Sequence, residues 1–500
     1  MTIREGSIPG ARKIMQESYQ TGLMQSSFIR TGGMGWFWLV VSAFSLGILT
    51  LGSGQPWLLH YFVPAAYFAI LYSSINALRA WRDPFNPLCL VLAVGFLRFF
   101  LPGILILSGA NDEQIGLFQL MKLTDDDWQW AHALALVGML AVVLGWLLVH
   151  AKSVAVKALR FELNGGVKYA SIIAMAAGFT GLAAFFVMNA SPGAILSGEF
   201  RSTTIQEGTG KYFFMAYLLI SGSATLCCYL VNRGFTWLAL IPSGISMLSF
   251  WPLGGRGRAV MSVAAGLILL WYRFRQRQGW QKLTVRPAYL FAALFLLICT
   301  VSVFYLGDYY RGNTEARAAS DGISLSGMWD YSKSAIYTDI GQLHSLAGAI
   351  AIGPAVLGGD SFIGSLSWPL SKFIALPSRS SGVYLVETLV GFVDDRKWAL
   401  NSSLIGDAYL NFGLPGIVAV MVLYGALLKQ LYLTFLRGGI HIVIYVLATL
   451  YGVNMLWVSI EVWPQALTVL CFAFAVNWLG RTVFQPRGTK TRIAGNSTAI

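Results

Sequence analysis

The sequence predicts an all-α, polytopic integral membrane fold with about twelve transmembrane helices, on three observations. First, 56% of the 500 residues are hydrophobic and only 11% are charged, whereas a soluble domain carries about 25% charged residues. Second, apolar runs about 20 residues long recur from Trp36 to Gly480. Each is long enough, at roughly 1.5 Å per residue, to cross a hydrocarbon core of about 30 Å. Third, runs such as Tyr169 to Phe186 are apolar on every face, which excludes the alternating strands, about ten residues long, of a transmembrane barrel.

The expected spans are 35–53, 57–77, 87–108, 130–150, 169–189, 212–231, 235–250, 259–272, 288–306, 409–436, 440–459 and 463–480. They divide the chain into an N-terminal segment (1–34), a first set of helices (35–306), a large loop (307–403), a second set of helices (404–480) and a basic tail (481–500). An even number of spans puts both termini on one side. Lys and Arg gather on that side, notably Arg273, Arg275, Arg277, Lys282 and Arg286 and, in the tail, Arg481, Arg487, Lys490 and Arg492. Asp125, Asp126 and Asp127 fall on the other. The positive-inside rule therefore makes both termini cytoplasmic and the large loop external. The first 30 residues hold Arg4, Arg12, Lys13 and Arg30 without a continuous apolar core, so the first span rather than a cleavable signal peptide is expected to direct insertion. The sequence pI of 9.5 then reports orientation and anionic membrane lipids, not nucleic acid.

Within the large loop, Ile340 to Leu357 and Phe362 to Leu376 are moderately apolar, glycine-rich and interrupted by Pro354, Pro369 and Pro377. Such pieces suit short interfacial or re-entrant helices. All five cysteines lie in apolar runs with no metal or redox spacing, and no disulfide is expected.

Candidate chemistry begins with Trp251-Pro252-Leu253-Gly254-Gly255-Arg256-Gly257-Arg258, read as a tight external turn. On a glycine-flexed turn two guanidinium groups can converge on one anion, and their paired donors match phosphate. Interfacial anchoring to lipid headgroups is the alternative. Arg201, Arg311 and Arg379 add positive charge on the external side, which topology disfavours unless an anionic substrate requires it. Arg98 lies in mid-span, where it must face protein, water or ligand, or pair with an acid such as Asp407 or Glu461. For proton transfer, His344 is the histidine of the large loop, and Glu387 is a carboxylate on an apolar segment, where desolvation raises its pKa. Either also reads as a structural hydrogen-bonding residue. No HExxH, acidic pair, phosphate-binding loop or dinucleotide fingerprint occurs, so no metal or cofactor is expected.

The turn Gly254-Gly255-Arg256-Gly257-Arg258 and the downstream stretch Asn401-Ser402-Ser403-Leu404-Ile405-Gly406-Asp407-Ala408-Tyr409-Leu410-Asn411-Phe412-Gly413-Leu414-Pro415-Gly416 resemble the bacterial O-antigen and exopolysaccharide repeat-unit polymerases (Wzy type). In that family an acidic residue, often Glu, precedes the aromatic and the Asn-Phe-Gly. Here Asp407, Tyr409 and Asn411 stand at those positions, so the acid is one methylene shorter. The large external loop ahead of the last spans is also similar, over residues 30–480.

The resemblance implies a glycosyltransferase of the bacterial cytoplasmic (inner) membrane with its active site facing the periplasm. Its substrates would be undecaprenyl-diphosphate-linked oligosaccharides, and its further partners a chain-length regulator and other polysaccharide-assembly proteins. On that reading Arg256, Arg258 and Arg311, supported by Arg98, Arg201 and Arg379, hold the diphosphate, and His344 or Glu387 deprotonates the acceptor. An O-antigen ligase shares this donor chemistry with a different acceptor. A transporter or flippase of lipid-linked sugars is the alternative from another class, although the two halves of the chain do not match.

Overall fold

Where backbone N–H and C=O groups find no water, a helix is the local structure that satisfies them all within one segment. The computed structural model describes residues 83, 85–101, 121–149, 163–189, 210–234, 238–250, 256–278, 343–368, 379–391, 400–435 and 437–484, and those residues are almost entirely helical. Six described helices are long and apolar enough to cross a membrane, so the chain is a polytopic membrane protein. The expected spans 35–53, 57–77 and 288–306, both termini, Arg201 and Arg311 lie outside the described residues.

The residues fall into two compact units. The first comprises 1–158, 280–436 and 451–464, and the second 159–279, 437–450 and 465–500.

In the first unit, α1 (Pro87–Gly95) starts where Asn86 accepts a hydrogen bond from Leu88 N (3.0 Å) and Pro87 occupies the first turn. It runs into a π-helical turn, Phe96–Phe100, that carries Arg98. The helix α2 (Asp125–Leu148) begins before its expected boundary, because Thr124 and Asp127 form a reciprocal capping box. The acidic run expected in an external loop is thus the first turn of a membrane helix, where carboxylates favour the positive end of the helix dipole.

The second unit holds α3 (Gly166–Asn189), α4 (Gly210–Asn232), α5 (Leu240–Phe250) and α6 (Arg256–Gln278). Glycine contacts show that α3 and α4 are antiparallel: Gly181 faces Tyr212 and Met215, and Gly222 faces Ser171 and Met175. Tyr217 meets Arg258 and Asn232 meets Arg273, so α4 and α6 run parallel. Between them α5 packs on α6 through Ser246 and Ser262 (2.9 Å).

Three short helices, α7 (Leu343–Ile352), α8 (Asp360–Leu366) and α9 (Ser381–Leu389), occupy the segment expected to be the large loop. The helix α10 (Ser403–Phe435) starts six residues before its expected boundary, because Ser403 Oγ accepts from Gly406 N (3.1 Å) and so caps the first turn. It is not continuous: Gly413 has φ 67° and ψ −160°, with Pro415 two residues on. Two helical pieces therefore replace the single expected span 409–436.

Last come α11 (Ile440–Trp457), a 3-10 turn (Ile460–Val462) and α12 (Trp463–Thr482). The second unit takes 437–450 of this stretch, and the first takes 451–464.

One crossing organises the first unit. A Cβ on Gly145 of α2 would lie 1.9 Å from Val422 O of α10, and one on Gly425 of α10 would lie 2.0 Å from Val142 O. Only hydrogen at both positions lets these backbones touch, as small residues do where membrane helices pack closely.

Candidate functional site

The break at Gly413 frees carbonyls at the end of the first piece of α10, and a buried C=O must find a donor. The turn between α7 and α8 supplies donors: Ala355 N donates to Tyr409 O (3.0 Å) and Leu357 N to Leu410 O (2.9 Å). Ala355 reaches this position with φ 59°, in the left-handed region, and Ser403 at the start of α10 has φ 60°. Non-glycine residues rarely adopt this conformation, and such strained positions cluster at functional sites.

On the broken helix sits Asp407, which is fully buried. Its Oδ1 accepts from Ser361 Oγ of α8 (2.5 Å) and from Asn411 Nδ2 one turn on (2.9 Å), and its Oδ2 accepts from Ile460 N of the 3-10 turn (3.2 Å). Asn411 Nδ2 also donates to Ser361 Oγ (2.7 Å) and Asp407 O (2.7 Å). A second carboxylate, Glu461, accepts from Ser381 N at the start of α9 (3.0 Å), and Ser381 Oγ bonds to Ser402 Oγ (2.7 Å). Ser403 N donates to Val458 O (3.0 Å), joining the start of α10 to the end of α11. Two acids thus tie four chain segments together with hydroxyl and backbone donors.

Around this network the unit places two cations. Arg98 lies with its guanidinium carbon 3.4 Å from the centroid of the Trp457 ring. Stacking of this kind leaves in-plane N–H donors for other partners. Arg379 stands over the Tyr384 ring at 4.3 Å and forms an ion pair with Glu387 (3.3 Å), both groups being partly exposed. Glu387, expected as a carboxylate on an apolar segment, thus has Arg379, just before α9, as its partner.

His344 on α7 is wholly buried, edge-on to Trp128 at 4.6 Å, and desolvation pulls its pKa from 6.5 down to about 4. Tyr409 is partly buried against Ala349, Leu357, Leu385 and Leu410, and its carbonyl is one of those capped by the turn.

In the second unit Arg256 and Arg258 belong to the start of α6, and residues 251–255 of the expected turn lie outside the described residues. Arg258 Nε donates to Tyr217 Oη (3.1 Å), and the guanidinium lies 4.6 Å from the Phe213 ring. The side chain of Arg256 lies outside the described residues.

Of the expected residues, then, Asp407 and Asn411 share one hydrogen-bonded cluster, Arg379 and Glu387 form a second pair, and His344 is buried beside Trp128. Ser361, Ser381 and Trp457 were not anticipated. Nothing in the local sequence marks them, since each acts through a contact made across the fold. The break at Gly413 was legible in the Gly-Leu-Pro triplet. Among the described residues, no group of three or more His, Cys, Asp or Glu is placed to hold a metal ion. No family model, curated protein or solved structure matches this chain.

Proposed function

We propose that the protein is a polymerase that joins undecaprenyl-diphosphate-linked oligosaccharide repeat units, working from the periplasmic face of the bacterial inner membrane through a bundle of about twelve spans with both termini cytoplasmic. The observation that carries the proposal is Asp407: a fully buried carboxylate on a helix of membrane-crossing length, in the stretch that resembles such polymerases. Ionisable groups within membrane-crossing helices are costly and often mark functional sites.

In the proposed reaction the acceptor hydroxyl attacks the donor's anomeric carbon. The glycosidic bond forms, the bond from that carbon to the diphosphate breaks, and the lipid diphosphate leaves with the electron pair. Arg98 and Arg379 are described cations of the first unit that such an anion would engage; Arg258 of the second unit, and Arg201, Arg256 and Arg311, whose side chains lie outside the described residues, are separate candidates. Positive groups placed beforehand stabilise the departing charge without reorganisation.

Of the two bases considered, Glu387 fits better than His344, which is buried and keeps a low proton affinity. The pair Arg379–Glu387 is partly exposed, so breaking it costs at most about 1 kcal/mol. A diphosphate that engages Arg379 frees Glu387 to accept the hydroxyl proton. Asp407 and Glu461 hold the elements in place and are assigned no chemical step.

The test is the purified chain supplied with lipid-linked repeat units alone. A polymerase yields a ladder of products and free undecaprenyl diphosphate. A ligase yields neither until its second acceptor is added. The broken helix at Gly413 is also a feature of transporters, and a transporter releases no undecaprenyl diphosphate under any of these conditions.

A further inference from the structure

The second unit carries a group of cations that the proposed reaction does not use. Close contact sets the N-terminus of α3 against the C-terminus of α12: a Cβ on Gly480 would lie 2.5 Å from Val167 Cα, and Tyr169 and Phe484 have ring centroids 6.4 Å apart. Lys168 and Arg481, each beside one of these glycine or valine contacts, therefore share that end of the unit. Arg437, just before α11, joins them, since Arg437 and Arg481 both act electrostatically on His441. The antiparallel pairing of α3 with α4 brings Arg233 to the same end.

Among the described residues of the second unit there is no Asp or Glu beside these cations. Lys168 lies 5.6 Å from the Tyr169 ring and Arg233 5.5 Å from the Tyr229 ring. Arg437 and Arg481 are exposed. From this end an apolar stripe runs along α3, with Tyr169 56%, Ile172 46%, Ile173 53% and Phe179 56% exposed. A ligand suited to both features is an anion at one end and a hydrocarbon along the rest.

We infer that Lys168, Arg437 and Arg481 form a binding site for an acidic phospholipid, with the phosphate among the three cations and an acyl chain along the outer face of α3. The tyrosine and phenylalanine at the junction suit the headgroup level, where aromatic side chains gather. The site is at the opposite end of the unit from Arg258, since Tyr217 and Asn232 lie at opposite ends of α4.

The experiment measures binding of phosphatidylglycerol and phosphatidylcholine to the purified full-length chain by native mass spectrometry. Phosphatidylglycerol is expected to bind at least about tenfold more tightly. The double variant Lys168→Gln, Arg481→Gln should lose about 30-fold in affinity for it, since each surface cation contributes about a factor of five. The charge-conserving variant Lys168→Arg, Arg481→Lys should keep it, and Lys211→Gln at the far end should change nothing.

Equal binding of the two lipids overturns the site, as does unchanged affinity in a Gln double variant whose circular dichroism matches the parent. If that variant does not fold, the parent protein decides: a preference that survives 1 M salt, where the screening length is about 3 Å, is not electrostatic and also overturns the site. Soluble glycerol 3-phosphate competing at the lipid's own affinity would overturn the lipid as occupant.

Discussion

The two units handle charge in opposite ways. In the first, the acids Asp407 and Glu461 turn inward and are held by hydroxyl and backbone N–H donors from four chain segments. In the second, whose described residues include no acid, Arg258, Arg233 and Lys168 rest against tyrosine and phenylalanine rings. In the first arrangement the carboxylates are satisfied within the unit, and removing one leaves its donors without that acceptor. The second sets its described cations against aromatic rings, an arrangement that anions or lipid headgroups would reinforce. A membrane protein can thus place rigidity and ligand attraction in different parts of one chain.

Asp407→Ala is the most severe test of this contrast. It leaves the Ser361 hydroxyl and Ile460 N–H without their carboxylate acceptor and removes one of the three acceptors of the Asn411 amide, and should cost roughly 3–5 kcal/mol. Thermal melting in detergent is the readout, together with loss of the product ladder. If Asp407→Ala melts like Arg258→Leu, the two units do not differ as described.

His344 supplies the next largest effect, through pH. Its folded pKa, about 4, lies below the ordinary 6.5 because burial disfavours the charged ring. As pH falls below 6.5 the unfolded chain takes up the proton first, so stability declines between pH 6.5 and about 4 and is flat above that window. The decline should reach about 3 kcal/mol. A melting series on His344→Gln should lack it, and an unchanged pH profile in that variant would remove His344 as its source.

Gly145→Ala presses a methyl group into the Val422 backbone of α10 and should destabilise the first unit by about 2 kcal/mol. Arg258→Leu removes one hydrogen bond and one ring contact in the second unit, for about 1–2 kcal/mol of stability. On the proposed function it also slows the ladder more than its small stability change explains.

The smallest stability effect belongs to Arg379→Gln, below about 1 kcal/mol, because its ion pair is partly exposed. Its effect on chain extension should be far larger. Product formation at the parental rate by a folded Arg379→Gln protein would remove Arg379 from the anion site.

Composition and the length of apolar runs were enough to point to the helical membrane class, and six described helices are long and apolar enough to cross a membrane, since a run apolar on all sides has few other stable forms. Helix starts moved where a side chain caps the first turn, as at Thr124 and Ser403, because a hydropathy run carries no hydrogen-bond information. The sequence alone also singled out Asp407 and Asn411, through the stretch that contains them. What it could not determine was pairing over distance. Arg379 with Glu387 is eight residues apart, whereas Ser361 with Asp407, Ser381 with Glu461 and Arg98 with Trp457 join remote segments. Those partners exist only once helices pack, because hydrogen bonds and ring contacts act over a few ångströms of space and are blind to separation along the chain.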